Sequence, residues 1–152
     1  MTTEKTIRIM IVDDHQMIID RIRQLLEVEP DMEIVGEATD GSAALLLAEQ
    51  TNPDLVLMDY KMPGMDGLEA TRLLVSRIPG IRILMVSLHQ DHRYVAASLS
   101  VGAKGYVLKA DLDSDLVEAI RDVHNKNRFY VSPGIAQQNG FKLPSITSPP
   151  PF

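Results

Sequence analysis

The chain has 152 residues, a 45% hydrophobic content, a net charge of −6 and no cysteine. That length suits one domain with a real core, and the acidic balance argues against a sequence-independent grip on nucleic acid, which needs clustered Lys and Arg. Disulfides and thiolate metal sites are excluded, no apolar run approaches a membrane span, and Met1-Thr2-Thr3-Glu4-Lys5-Thr6 lacks a signal-peptide pattern, so a cytoplasmic protein is expected.

In chain order, residues 7–12 form a β-rich apolar run that ends at Asp13-Asp14. Ile18, Ile22, Leu25 and Leu26 follow at helical spacing, and Glu29-Pro30-Asp31 ends that helix. Residues 32–37 are short and partly polar, as an edge strand would be. Asp40-Gly41 opens a second helix with Ala44, Leu47 and Ala48 on one face, broken by Asn52-Pro53. Leu55-Val56-Leu57-Met58 is a continuous apolar run, suited to a strand buried on both faces, and it runs straight into Asp59. Pro63-Gly64 supplies a turn, and Asp66-Gly67 opens a third helix carrying Ala70, Leu73 and Leu74.

Residues 81–86 make a fourth strand that ends at Ser87. A weakly apolar helix with Val95 and Leu99 stops at Gly102. Residues 105–108 make a fifth strand that ends at Lys109, and Leu112, Leu116, Ile120 and Val123 share the face of a fifth helix. Five strands alternating with five helices predict an α/β fold: a flavodoxin-like, doubly wound parallel sheet in the order 2-1-3-4-5. Residues 6–126 are read as the domain. Residues 127–152, punctuated by Pro133, Pro144 and Pro149-Pro150-Pro151, are read as a disordered linker or tail, with a single helical turn over residues 135–138.

In that strand order the carboxyl ends of strands one, three, four and five converge. They bring together Asp13, Asp14, Asp59, Ser87 and Lys109. Clustered carboxylates repel, and a divalent cation offsets that cost; hard oxygen donors with room for water suit Mg²⁺. A carboxylate held against Mg²⁺ and a lysine can act as nucleophile on a phosphoryl group. Plainer readings stand beside these: Asp13, Asp14 and Asp59 as caps, Ser87 as a surface hydroxyl, Tyr106 as a half-buried aromatic, Lys109 as a solvated lysine. His15, His89, His92 and His124 lack metal-ligand spacing. His15 reads as structural or exposed, since a side chain next in sequence to Asp14 faces elsewhere, and His89 as a neighbour of the site that influences dephosphorylation.

Asp13-Asp14, Asp59 in Asp-Tyr-Lys-Met-Pro-Gly-Met-Asp-Gly, Ser87, Tyr106 and Lys109 together resemble the receiver domain of bacterial response regulators. Val12-Asp13-Asp14-His15, Gly102-Ala103-Lys104-Gly105-Tyr106-Val107-Leu108-Lys109-Ala110 and Phe129-Tyr130-Val131-Ser132-Pro133 resemble the LuxR-type subgroup of transcription regulators. The resemblance implies that Asp59 accepts a phosphoryl group from a histidine kinase. It implies Mg²⁺ bound by Asp14 directly, by Asp13 through water, by Asp59 and by the backbone carbonyl of Lys61. Ser87 and Tyr106 would form a switch, in which the hydroxyl moves to the phosphate and the ring turns inward. A homodimer on phosphorylation is a further implication. Residues 127–152 are too short for a helix-turn-helix, so DNA is expected as a partner only through an output domain that this chain lacks, and no membrane partner is expected. Many receiver domains have a cis proline after the lysine; here Ala110 stands there, so either a cis bond is tolerated or the bond is trans and the loop differs. Two rivals remain: a stand-alone receiver or interaction module, and an aspartate-nucleophile phosphatase, which Lys61 disfavours because that position would hold a second acid.

Overall fold

The computed structural model describes residues 6–136. Its elements are β1 (Ile7–Val12), α1 (Gln16–Glu27), β2 (Met32–Ala38), α2 (Gly41–Thr51), β3 (Leu55–Asp59), α3 (Gly67–Arg77), β4 (Arg82–Ser87), α4 (His92–Ser100), β5 (Gly105–Leu108), α5 (Leu112–Asn125), β6 (Tyr130–Val131) and the single turn α6 (Pro133–Ala136). All strand pairs are parallel, in the order β2-β1-β3-β4-β5-β6.

Alternation along the central strands divides their side chains between two cores. Ile7, Ile9, Ile11, Leu55, Leu57, Leu84, Val86 and Val107 face one core, closed by Ile19, Ile22 and Leu26 of α1 and Leu116, Ile120 and Val123 of α5. Met10, Val12, Val56, Met58, Ile83, Met85, Tyr106 and Leu108 face the other, closed by Ala44 and Ala48 of α2, Ala70 and Leu74 of α3, and Val95 of α4. Burial on both faces explains why these strands read as unbroken apolar runs. The helix faces are rotated slightly from the expected ones: Ile19 rather than Ile18 is buried on α1, and Leu45 rather than Leu47 on α2. Edge strand β2 is the partly polar one, as expected.

Two expectations change. β5 is not the edge of the sheet, because β6 pairs with it, Gly105 opposite Tyr130 and Tyr106 opposite Val131. The linker boundary placed at residue 127 is therefore corrected: residues 130–136 belong to the fold. Ser132 anchors them, its hydroxyl accepting from the Leu108 N–H at 2.9 Å while its own N–H donates to the Tyr106 carbonyl at 3.0 Å, and Ile135 is fully buried. The helical turn spans Pro133–Ala136, and the part of it placed on residues 137–138 lies outside the described residues. No peptide bond among the described residues is cis, and Lys109–Asp111 form a 3₁₀ turn leading into α5.

Candidate functional site

The same alternation that builds the cores also sorts the polar residues at the strand ends. Asp13, Asp59 and Lys109 continue the α1/α5-facing rows of β1, β3 and β5, while Ser87 continues the opposite row of β4, the one Tyr106 occupies on β5. Register puts the acids level, since Val12 pairs with Met58 immediately before them. Lys109 lies one period further along and reaches back to both: its Nζ is 2.9 Å from Asp13 Oδ2 and 3.2 Å from Asp59 Oδ1. The ammonium is buried, with 6% of its side chain exposed.

The loop after Asp59 wraps tightly over it. The Gly67 N–H donates to the Tyr60 carbonyl at 2.9 Å, and a Cβ at Gly67 would stand 1.9 Å from the Asp59 carbonyl oxygen. Only glycine permits that approach. Gly64 turns the loop with φ +75°, and the Asp66 carboxylate caps α3 by accepting from the Glu69 N–H. The Lys61 side chain points its ammonium at the Tyr94 ring, 5.9 Å from the centroid.

Burial, and next the charge of Asp13, push the Asp59 carboxyl up to about 7, against the opposing charge of Lys109. Burial works against the Lys109 charge, but its bond to Asp13 and the charges of Asp59 and Asp13 outweigh that, so Lys109 is held above its ordinary value. One lysine therefore serves a group of three acids. Two carboxylate oxygens, Asp14 Oδ1 and Asp59 Oδ2, are buried and make no hydrogen bond. Donor atoms of Asp13, Asp14, His15 and Asp59 lie within 4.8 Å of one another. Oxygen donors gathered at this spacing around uncompensated negative charge fit a divalent cation.

His15 departs from the expectation that it faces away. Its Nδ1 is 3.3 Å from Asp13 Oδ1 and 3.1 Å from Asp14 Oδ1. The physical reason is the turn before α1: the His15 N–H donates to Asp13 Oδ1 at 2.9 Å, and this fold-back brings the ring round onto the acids.

On the other face Ser87 is buried, and its hydroxyl accepts from the His89 N–H at 3.0 Å. The Tyr106 hydroxyl donates to the His89 carbonyl at 2.8 Å. The Tyr106 ring is fully buried, and that burial lifts its phenol above the ordinary range. It occupies the inward position that the expectation assigned to the switched state. The His89 ring stacks on Tyr94, with centroids 4.2 Å apart and planes 9° from parallel, and Tyr60 packs edge-on against Tyr94 at 5.0 Å. His89 thus joins Ser87 to Tyr106 through its backbone, a role that no side-chain pattern announces.

Comparison with known proteins shows which family the chain is similar to. The family described as "Response regulator receiver domain" matches residues 9–121. The chain is 44% identical over 121 residues to the transcriptional regulatory protein DegU of Brevibacillus brevis, covering 79% of this chain and 51% of that protein. It is 40% identical over 146 residues to the response regulator GacA of Pseudomonas protegens, covering 96% of this chain and 68% of the relative. The crystal structure of a LuxR-family two-component response regulator from Aurantimonas superposes with a TM-score of 0.83 at 39% identity, covering 88% of this chain and 94% of that one. The chain thus spans about half the length of the first of these relatives.

Proposed function

We propose, from the premise that this chain belongs to the response regulator receiver domain family, that Asp59 is its phosphoryl acceptor. Receiver domains of this family work with histidine kinases and are signalling proteins rather than classical enzymes. The observation that carries the assignment is the asymmetry of the Asp59 carboxylate: Lys109 holds Oδ1, while Oδ2 is buried and without a hydrogen bond. In the proposed reaction Asp59 Oδ2 attacks the phosphorus of a kinase phosphohistidine. A P–O bond forms as the P–N bond breaks, and the imidazole leaves, taking up a proton. Lys109 fixes the nucleophile and neutralises charge on the phosphoryl oxygens.

Asp13, Asp14, Asp59 and the Lys61 carbonyl would hold Mg²⁺, which when bound would neutralise charge on the transferring oxygens. Ser87 would then give up the His89 N–H and donate its hydroxyl to the new phosphoryl group. That releases one end of His89 while the other still accepts from Tyr106, so the change passes to α4 and to β5. This is a two-state element biased by a new anion. Likeness to the transcriptional regulatory protein DegU supports a whole protein that regulates transcription; we further propose that it binds DNA through a separate domain, as a homodimer favoured by phosphorylation, in the cytoplasm. No helix among the described residues is long and apolar enough to cross a membrane.

The chain incubated with Mg²⁺ and a small acyl phosphate should gain a single phosphoryl group, stable in acid and labile in base, by intact mass. Equal labelling of Asp59→Asn would overturn the assignment. Steady turnover of a phosphoester substrate would favour the phosphatase reading instead, and an unlabelled but folded chain the interaction module.

A further inference from the structure

Ser132 ends β6 with its side chain standing in for its own carbonyl. In a parallel ladder a residue's N–H donates to one residue of the neighbouring strand, and its carbonyl accepts from the residue two further along. The Ser132 N–H makes the first of these bonds, to the Tyr106 carbonyl at 3.0 Å. Its carbonyl has turned aside to start α6, where it accepts from the N–H groups of Ile135 at 2.9 Å and Ala136 at 3.1 Å. The hydroxyl therefore makes the second bond, accepting from the Leu108 N–H at 2.9 Å. Ser132 is fully buried, and Ile135 holds the segment down by packing in the same core as Tyr106 and Leu108. Leu108 is the last residue of β5, and Lys109 follows it. The 3₁₀ turn Lys109–Asp111 is trans throughout and has no side-chain cap, so the backbone ahead of Lys109 is secured by Ser132 rather than by the turn itself.

We propose that Ser132 is a positioning residue for Lys109: its hydroxyl fixes the end of β5 where the ammonium can reach Asp13 and Asp59 together, and phosphoryl transfer to Asp59 depends on that placement. The inference rests on the reading of Asp59 as the acceptor and of Lys109 as the group that holds it. The Lys109 ammonium bridges carboxylates from two other strands, 2.9 Å from Asp13 Oδ2 and 3.2 Å from Asp59 Oδ1, with 6% of its side chain exposed. A buried contact to two carboxylates at once tolerates little movement of the backbone beneath it. Without the hydroxyl the Leu108 N–H is buried and unpaired, and the end of β5 shifts to find another acceptor. Lys109 shifts with it. Residues 130–136 thereby take a part in the chemistry, because lifting them from β5 would free the backbone that carries the lysine.

The test compares the 152-residue chain with Ser132→Ala, Ser132→Cys and Ser132→Thr, and with Ile7→Val, which thins the core at the far end of β1. Two quantities are read: the rate of phosphoryl labelling by an acyl phosphate at saturating Mg²⁺, and the ¹H–¹⁵N signal of the Lys109 ammonium, which is resolved only while that group is buried and exchanges slowly. The parent and Ser132→Thr, which keeps the hydroxyl acceptor, should show the ammonium signal. Ser132→Ala and Ser132→Cys, whose thiol fills the space but accepts weakly, should lose it and label at least about tenfold more slowly. Ile7→Val should keep both signal and rate. Ser132→Cys carries the comparison if Ser132→Ala misfolds. A signal retained in Ser132→Ala or Ser132→Cys, or lost in Ile7→Val, overturns the proposal. Loss of the signal with an unchanged rate overturns the dependence of the transfer on Ser132. An unsubstituted chain that takes no label overturns the receiver reading instead, and the ammonium signal still decides whether Ser132 places Lys109.

Discussion

Asp59 has two oxygens in different situations, and a lysine explains the difference. Burial and the neighbouring Asp13 raise its carboxyl to about 7, far above an unfolded aspartate near about 4. The folded state therefore holds a proton that the unfolded state has released across that interval, so without a divalent cation stability falls as pH rises from about 4 to about 7 and is then level. Asp59→Asn removes the ionisation. It should be more stable than the parent in urea at pH 7.5 with chelator present, and the gap should shrink steadily toward pH 4. A gap that widens as pH falls would show that Asp59 ionises more easily in the fold than out of it. At this scale the sequence displayed the acids, the serine and the lysine clearly, because each directly follows an apolar run. It read His15 as facing away, and it set His89 beside the site without showing how His89 acts there. The first reaches the acids through a backbone turn and the second works through its own amide, and neither leaves a side-chain pattern.

At the scale of elements, the strand periodicity does more than build the two cores. It sends Asp13, Asp59 and Lys109 to the α1/α5 side, and Ser87 and Tyr106 to the α3/α4 side. The acid–lysine group and the Ser87–Tyr106 pair are thus on opposite faces of one sheet, linked where β4 ends. The five long strands and five helices were legible from apolar runs and from the Pro, Gly and Asp punctuation. β6 was not, because two residues cannot display a period; its only trace was Phe129-Tyr130-Val131 ahead of Ser132-Pro133. Yet β6 is bonded to the backbone of Tyr106 and, through the Ser132 hydroxyl, to Leu108. The segment that follows α5 is therefore tied to the strand that carries Tyr106. Ser132→Ala leaves the buried Leu108 N–H without its acceptor and should cost about 1–3 kcal/mol in urea denaturation. A change below about 0.5 kcal/mol would mean that β6 contributes little to the fold.

For the whole molecule, the acidic cluster is a place where the native state accepts a price in stability that a bound cation would relieve. Only the native arrangement gathers Asp13, Asp14 and Asp59, so a bound cation stabilises that state by mass action. Mg²⁺ at ten times its dissociation constant should add about 1.4 kcal/mol to the unfolding free energy, and the gain should vanish in Asp14→Asn. An equal gain in that variant would place the cation elsewhere. The rise should survive in moderate salt, since the pair Asp59–Lys109 is shielded from solvent.

The central claim, that the strand-end carboxylate with one free oxygen receives the phosphoryl group, is tested most directly by locating the modified residue. The chain is labelled with acyl phosphate and Mg²⁺ and reduced with borohydride, which converts a phosphorylated aspartate to homoserine, and its peptides are then sequenced by mass spectrometry. The account predicts conversion at Asp59 and at no other acid. Conversion at Asp13 or Asp14, or none in a chain that has gained the phosphoryl mass, would contradict it.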